Sequence, residues 1–365
     1  MHISKINIVN FRNHIEAEFA LKNGVNCFIG NNGSGKTNVL DAVYYLSMCR
    51  SYLNSIDKQN IRFNEQFFVL QADWWKEDTC HNIYCGVKLG GKKIFKRNKK
   101  EYERLADHIG HFPVVMISPY DADLISEGSD VRRKWLDGIV AQFDRPFLDD
   151  LQRYNKVLDQ RNALLKHQYE NGLFDRESLE IWDAQLILYG NSIYGKRKAF
   201  IENFIPIFQK YYTFISQGKE AVSLNYESQL HTVPFFDLLQ QALPRDSRVQ
   251  YTTVGTHKDD FAFLINEMPI KKYGSQGQQK SFLIALRLAQ FECLKEFLGV
   301  TPILLLDDIF DKLDNQRVAQ LMDLVSRNTF EQVLVTDTDE KRVRTIFETI
   351  SVEPNLLLFE TIEYE

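Results

Sequence analysis

Gly30-Asn31-Asn32-Gly33-Ser34-Gly35-Lys36-Thr37 combines glycines, a lysine and a hydroxyl in an order suited to holding phosphate. The apolar run Val25-Asn26-Cys27-Phe28-Ile29 precedes it, and a helix-like run from Asn38 to Leu46 follows. The pattern is G-x-x-x-x-G-K-T between a strand and a helix, the context that gives the phosphate-loop motif its meaning. Glycines let the backbone fold tightly, so that its N–H groups face phosphate oxygens. The helix start adds a positive dipole end at the same spot. Lys36 is expected to reach the β- and γ-phosphates of ATP, and the Thr37 hydroxyl to sit on Mg²⁺. A Gly-rich turn before an ordinary helix is the bland alternative, and it would not require every fixed position to be filled.

A second chemical stretch is Pro302-Ile303-Leu304-Leu305-Leu306-Asp307-Asp308, an apolar run ending in two carboxylates. Such a run suits a central parallel strand buried on both faces, and α/β sheets bind ligands at the C-terminal ends of their strands. Asp307 is expected to hold Mg²⁺, directly or through water. Asp308 is the candidate base that orients the attacking water. Upstream, Tyr273-Gly274-Ser275-Gln276-Gly277-Gln278-Gln279-Lys280-Ser281 leads into a periodic helix carrying Phe282, Ala285, Leu286, Ala289, Phe291, Leu294 and Phe297. Small and amide residues at a helix start can hold an anion. In a chain that already has a phosphate loop, this makes sense if it meets the γ-phosphate bound by another subunit.

Basic residues concentrate at Lys88, Lys92, Lys93, Lys96, Arg97, Lys99, Lys100 and Arg104, interleaved with Phe95 and Tyr102. One reading is contact with the phosphate backbone of DNA, with counterion release. The other is a solvated hairpin edge defended by lysines. The formal net charge is -5, so attraction to nucleic acid must come from such a local patch. The sequence begins without the long apolar core of a signal peptide, and no window approaches about 18 apolar residues, so no membrane association is expected. The five cysteines form no C-x-x-C pair, which points to a reducing, cytoplasmic setting and away from a zinc site.

These motifs need elements to position them. Strand patterns cover residues 2–11 and 15–21, then 66–73 and 80–104 around a Gly90-Gly91 turn, then 113–119. Helical spacing covers 130–143, 147–168 and 176–212, with Pro146 separating the first two or starting the second, and a break expected before Pro206. Strand character returns at 222–226 and 249–265. His257 lies there within Gly255-Thr256-His257-Lys258-Asp259-Asp260, either as a structural hydrogen-bonder or as a contact to nucleotide or DNA.

Ser275-Gln276-Gly277-Gln278 resembles the signature motif of ABC-type ATPases in the SMC and RecF branch. Asp311-Lys312-Leu313-Asp314 resembles the D-loop, and Val333-Leu334-Val335-Thr336-Asp337-Thr338-Asp339 the last ATPase strand with its switch position. The order of Phe11-Arg12-Asn13, Ile117-Ser118-Pro119, Arg132-Arg133-Lys134-Trp135-Leu136-Asp137, Gly255 to Asp260, Gly274 to Gln279 and Asp307-Asp308 resembles the RecF family of bacterial recombination and repair ATPases. That resemblance implies an α/β ABC-type (SMC-like) P-loop ATPase head with a mainly helical second lobe. Residues 1–120 and 250–365 would form the ATPase lobe, and 121–249 the helical lobe. It implies an ATP-dependent homodimer, with the phosphate loop of one copy facing Ser275, Gln276, Gly277 and Gln278 of the other. It implies a clamp on duplex or gapped DNA, with Lys92, Lys93, Lys96, Arg97, Lys99 and Lys100 as contacts, and RecO and RecR as partners in loading RecA. The chain departs from the family pattern at Thr256, Lys258, Lys312 and Asp337, and at Asp308, where Glu is usual; the shorter carboxylate implies slow hydrolysis. A transporter nucleotide-binding subunit would need a membrane docking surface. An SMC-like structural ATPase would need a far longer coiled-coil insertion, and a small-molecule kinase would need no signature motif.

Overall fold

The structure is a computed structural model that describes residues 1–172, 175–309, 318, 320, 322–324 and 330–359. It divides into two compact units: Met1–Ala122, Tyr211–Lys219 and Ser275–Glu365 form the first, and Asp123–Lys210 and Glu220–Gly274 the second.

In the first unit a five-stranded parallel sheet runs in the order Asn355–Leu358, Gly24–Ile29, Gln332–Asp337, Ile303–Leu306, Val114–Ile117. Every residue of Ile303–Leu306 and of Val114–Ile117 is buried, as unbroken apolar runs in parallel sheets require. An antiparallel sheet contains His14–Ala20, His2–Phe11, Phe67–Lys76, Thr79–Lys88, Ile94–Arg97 and Lys100–Glu101 in that order. The helix Lys36–Met48 shares one core with both sheets, through Val43 and Leu46 against the cluster of Ile6, Phe68 and Leu305. Its start is thereby fixed where Gly24–Ile29 ends.

The second unit is mainly helical. Asp144 accepts the backbone N–H of Phe147 at 2.8 Å and caps Arg145–Glu170, with Pro146 in the first turn as expected. The helix Arg176–Ser216 lies antiparallel to it through Lys210, tied by Lys196 to Asp144, Ser192 to Asp150 and Arg161 to Asp183. A three-stranded sheet pairs Asp260–Ile265 with Val222–Glu227 and Met268–Pro269.

Several sequence expectations change here. Arg176–Ser216 runs unbroken through Pro206, so proline removes one backbone donor without ending the helix. Residues 250–259 are not strand: Thr256–Lys258 is a 3₁₀ turn, and only Asp260–Ile265 is extended. Phe235–Val249, inside the 121–249 stretch expected to be helical, is a helix carrying Pro244, with Phe235, Leu239 and Ala242 buried at helical spacing. Residues 250–274, placed by sequence with the ATPase lobe, belong to the second unit, because Asp260–Ile265 completes its sheet. Among the described residues no helix is long and apolar enough to cross a membrane.

Candidate nucleotide-binding site

Gly33 and Gly35 take φ of 83° and 100°, the left-handed region that glycine enters without a Cβ penalty. A Cβ on Gly35 would meet side-chain atoms of Asn13 and His14 at 2.7 Å. Those two side chains brace the loop. Asn13 Nδ2 donates to Gly33 O at 3.1 Å, His14 Nε2 donates to Gly35 O at 3.0 Å, and Asn38 Nδ2 donates to Asn13 Oδ1 at 2.7 Å. Burial holds the His14 imidazole below its ordinary pKa, with the Gly35 carbonyl opposing, so the ring is neutral near pH 7.

The Lys36 ammonium donates to Gly30 O at 2.7 Å and Asn31 O at 2.9 Å, folding over the mouth of the loop. Ser34 Oγ is buried with no hydrogen-bond partner among the described residues. A buried hydroxyl in that state fits a loop shaped for phosphate oxygens.

Asp307 is 3% exposed and is the hub of the site. Its Oδ1 accepts from Thr37 Oγ1 at 2.7 Å and Thr336 Oγ1 at 2.9 Å, and its Oδ2 accepts from Ser118 Oγ at 3.1 Å. A carboxylate this buried needs such donors. The set of hard oxygens beside a phosphate loop is also the donor chemistry that Mg²⁺ prefers, so the residues fit that ion. Asp308 follows at φ 45°, and its backbone N–H donates to Thr336 Oγ1 at 2.9 Å. With Ser118, Lys280, Leu283 and Ile284 it lines a cavity of about 230 Å³.

Asp337 is buried at the end of its strand, paired in register with Ile29, the last residue before the phosphate loop. Its carbonyl accepts from Gly30 N at 3.3 Å. Its carboxylate accepts from Asp339 N at 2.7 Å and from Arg342 Nη2 at 2.6 Å. Ser275 caps the helix Gln276–Leu298 in a reciprocal box: Gln278 N donates to Ser275 Oγ at 3.2 Å, and Ser275 N donates to Gln278 Oε1 at 2.7 Å. Ser275 and Gln276 are exposed, which suits a motif meant for a ligand outside the chain.

The structure thus gathers Gly30, Asn31, Asn32, Gly33, Ser34, Gly35, Lys36, Thr37 and Asp307 at one end of the parallel sheet. Sequence reasoning missed the bracing by Asn13 and His14, the Ser118 and Thr336 hydroxyls on Asp307, and Arg342. Asp311 to Asp314 lie outside the described residues. His257 belongs to the fabric of the second unit: it donates from Nε2 to Thr252 O at 3.0 Å and accepts from Tyr154 at 2.8 Å.

The basic hairpin is less uniform than its sequence. Lys93 is a correction: its ammonium lies 2.7 Å from Asp57, donates to Cys49 O at 2.9 Å and sits 5.1 Å from the Tyr45 ring centroid. Arg97 stacks over Phe112 at 5.4 Å and contacts His81. Lys96 lies over Tyr84, and Lys92 is an exposed neighbour of Glu101 at 3.6 Å. Lys99 and Lys100 are exposed.

Phosphate loop, hydroxyl-held aspartate and helix-capping signature on a parallel sheet define an ATPase head of the ABC type. The family described as RecF/RecN/SMC N terminal domain matches residues 2–355. The chain is 50% identical to the DNA replication and repair protein RecF of Flavobacterium johnsoniae over 95% of this chain and 96% of that protein. It is 47% identical to that of Bacteroides thetaiotaomicron, over 96% and 94%. A solved recombination mediator protein RecF, described as RecF-ATPrS in the RecFOR pathway, superposes with a TM-score of 0.87 at 31% identity, over 98% of this chain and 96% of that one. An Smc head domain derived from Pyrococcus furiosus shares the fold alone, with a TM-score of 0.53 at 16% identity over 96% and 91%. The chain belongs to the RecF family of DNA replication and repair proteins.

Proposed function

We propose that this chain binds ATP with Mg²⁺, closes head to head with a second copy on DNA, and opens when ATP is slowly hydrolysed. The observation that carries the reading is the 2.7 Å bond between Thr37 and Asp307, which joins the phosphate loop to the end of the Asp307 strand. Thr37 and Asp307 would hold Mg²⁺, which neutralises charge on the β- and γ-phosphate oxygens when bound. Lys36 would exchange its loop carbonyls for those oxygens. Asp308 would orient the attacking water and accept its proton. Its carboxylate is one methylene shorter than glutamate, which supports weak, DNA-linked turnover.

Exposed Ser275 and Gln276, with Gly277 and Gln278 behind them, would cap the γ-phosphate held by the partner copy, completing each site across the dimer. Dimerisation is then linked to nucleotide by mass action. Lys92, Lys96, Lys99 and Lys100 would contact duplex, gapped or junction DNA. The name of the family's members and the RecFOR pathway of the solved relative support action with RecO and RecR in loading RecA onto single-stranded gaps, in the cytoplasm.

Sedimentation with and without ATP and duplex DNA tests this. Wild type should dimerise only with ATP, Lys36→Ala should fail to bind nucleotide, and Ser275→Arg should bind ATP yet remain monomeric. Dimerisation of Lys36→Ala with ATP would overturn the sandwich, and loss of nucleotide binding by Ser275→Arg would move the signature motif elsewhere.

A further inference from the structure

We infer that Asp121 is a positioning residue for Asp307, and that Arg287 makes its hold depend on the helix capped by Ser275. The inference rests on the ATP-site reading above and deepens it, by naming how a partner engaged at Ser275 would reach this copy's own metal ligand.

Asp121 is buried in the 3₁₀ turn Pro119–Ala122, which follows the strand Val114–Ile117. A carboxylate so enclosed must be paired and hydrogen-bonded. Its partners come from three places in the first unit. Arg287, midway along the helix Gln276–Leu298, donates to Oδ1 from Nη2 at 2.5 Å and from Nε at 3.1 Å. The Tyr52 hydroxyl donates to the same oxygen and accepts from Arg287 Nη2 at 2.8 Å. Tyr52 N donates in turn to Asp41, on the helix that follows the phosphate loop, at 2.7 Å. On the other side, Asp121 Oδ2 accepts from Ser118 N at 3.1 Å.

Ser118 is thereby fixed at both ends, because its hydroxyl donates to Asp307 Oδ2 at 3.1 Å. Asp307 Oδ1 is held by Thr37 and Thr336, so Ser118 sets the other oxygen. The line Arg287, Asp121, Ser118, Asp307 is continuous, and all four residues are buried. Ser275 and Arg287 stand on one helix, about 18 Å apart along its axis at 1.5 Å per residue. A shift at the capped end therefore moves the guanidinium against Asp121. Breaking that bond frees Asp121 to turn, and with it Ser118 and the Asp307 oxygen. Partners of this kind orient a metal ligand without touching the ion, and losing one costs about 10- to 100-fold in metal affinity.

The test is the ratio of ATP affinity with Mg²⁺ to ATP affinity with EDTA, by calorimetric titration of the full chain. A merely structural role would lower both affinities and leave the ratio alone. Asp121→Asn has one carbonyl oxygen, which cannot serve both Ser118 and Arg287. It and Arg287→Gln should each lower the ratio by about tenfold or more, with the EDTA affinity within about threefold of wild type. Arg287→Lys should fall between. The double variant leaves no unpaired buried charge, so it should fold even where a single one does not, and should show the same lowered ratio. Wild type, which dimerises, should exceed monomeric Ser275→Arg in this ratio by about threefold or more. Adding Ser275→Arg to Arg287→Gln should lower the ratio no further. An unchanged ratio in Asp121→Asn and the double variant, or equal loss with and without Mg²⁺, would overturn the inference. A normal ratio in Arg287→Gln would overturn the part given to the helix. If wild type binds no ATP, or binds it and stays monomeric, the underlying reading of the site or of the dimer fails instead, and in the monomeric case Asp121→Asn still decides the hold on Asp307.

Discussion

Replacing Lys93 by Glu separates the two meanings of the basic hairpin. Its ammonium makes a 2.7 Å ion pair with Asp57, donates to Cys49 O at 2.9 Å and packs on Tyr45. Tyr45 in turn donates to the other oxygen of Asp57. Lys93→Glu removes a charge-assisted bond worth about 1.5–3 kcal/mol and sets two carboxylates side by side. Breaking a buried pair from one side costs about 3–5 kcal/mol. The two side chains keep 16% and 32% exposure, so screening lowers the expected cost to about 2–4 kcal/mol. Lys99→Glu with Lys100→Glu, both at exposed positions, should stay within about 0.5 kcal/mol per site. Urea unfolding reads the first quantity, and duplex DNA affinity across a salt series reads the second. The double Lys99, Lys100 variant should flatten the salt dependence by about one per lost phosphate contact. The reasoning is refuted if Lys93→Glu unfolds like wild type but flattens the salt slope, while the Lys99, Lys100 variant leaves it unchanged.

Thr336→Val keeps shape but removes the donor to Asp307 Oδ1 and the acceptor for Asp308 N. Single-turnover hydrolysis should fall on the order of 10- to 100-fold, with ATP affinity changed far less; equal losses would show the hydroxyl to be merely structural. Burial pushes His108 and His257 down to about 4 from 6.5, so the folded chain binds fewer protons than the unfolded one between those values. Stability is therefore fully present above pH 6.5 and lost as pH falls through that window, by roughly 2 kcal/mol per histidine at pH 5. Denaturant unfolding at both pH values should show the loss, and His257→Gln should shrink it in the second unit; an identical pH profile would contradict the burial account.

The phosphate loop was legible because its constraints are local. Gly33 and Gly35 are glycines for reasons of φ and close approach, and Lys36 and Thr37 follow them directly. Asp307 was legible because four buried apolar residues lead to it. Lys93 was not, since Cys49 and Asp57 lie far back along the chain and its charge looks like its neighbours'. Proline misled by local rule at Pro206, which sits inside a helix whose apolar face, Phe200, Phe204 and Phe208, is held by packing, as Pro244 does in a helix held by Phe235, Leu239 and Ala242. That burial outweighs one missing backbone bond.

Ser118 and Thr336 were invisible for a different reason, which also explains why they act together. Parallel pairing aligns Ile117 with Leu306, and Leu306 with Val335. One step further along each strand stand Ser118, Asp307 and Thr336, so three distant positions become neighbours on a single rung of the sheet. Thr336 is itself in register with Phe28, and Asp337 with Ile29, the last residue before the phosphate loop. The apolar rung below sets the polar rung above it, and a one-residue slip in any of these strands would turn its hydroxyl or carboxylate to the opposite face. The geometry around Asp307 is therefore a property of strand register. Large-to-small changes at Leu306 or Val335, which carry no reactive group, should loosen the hold on Asp307 before they unfold the sheet.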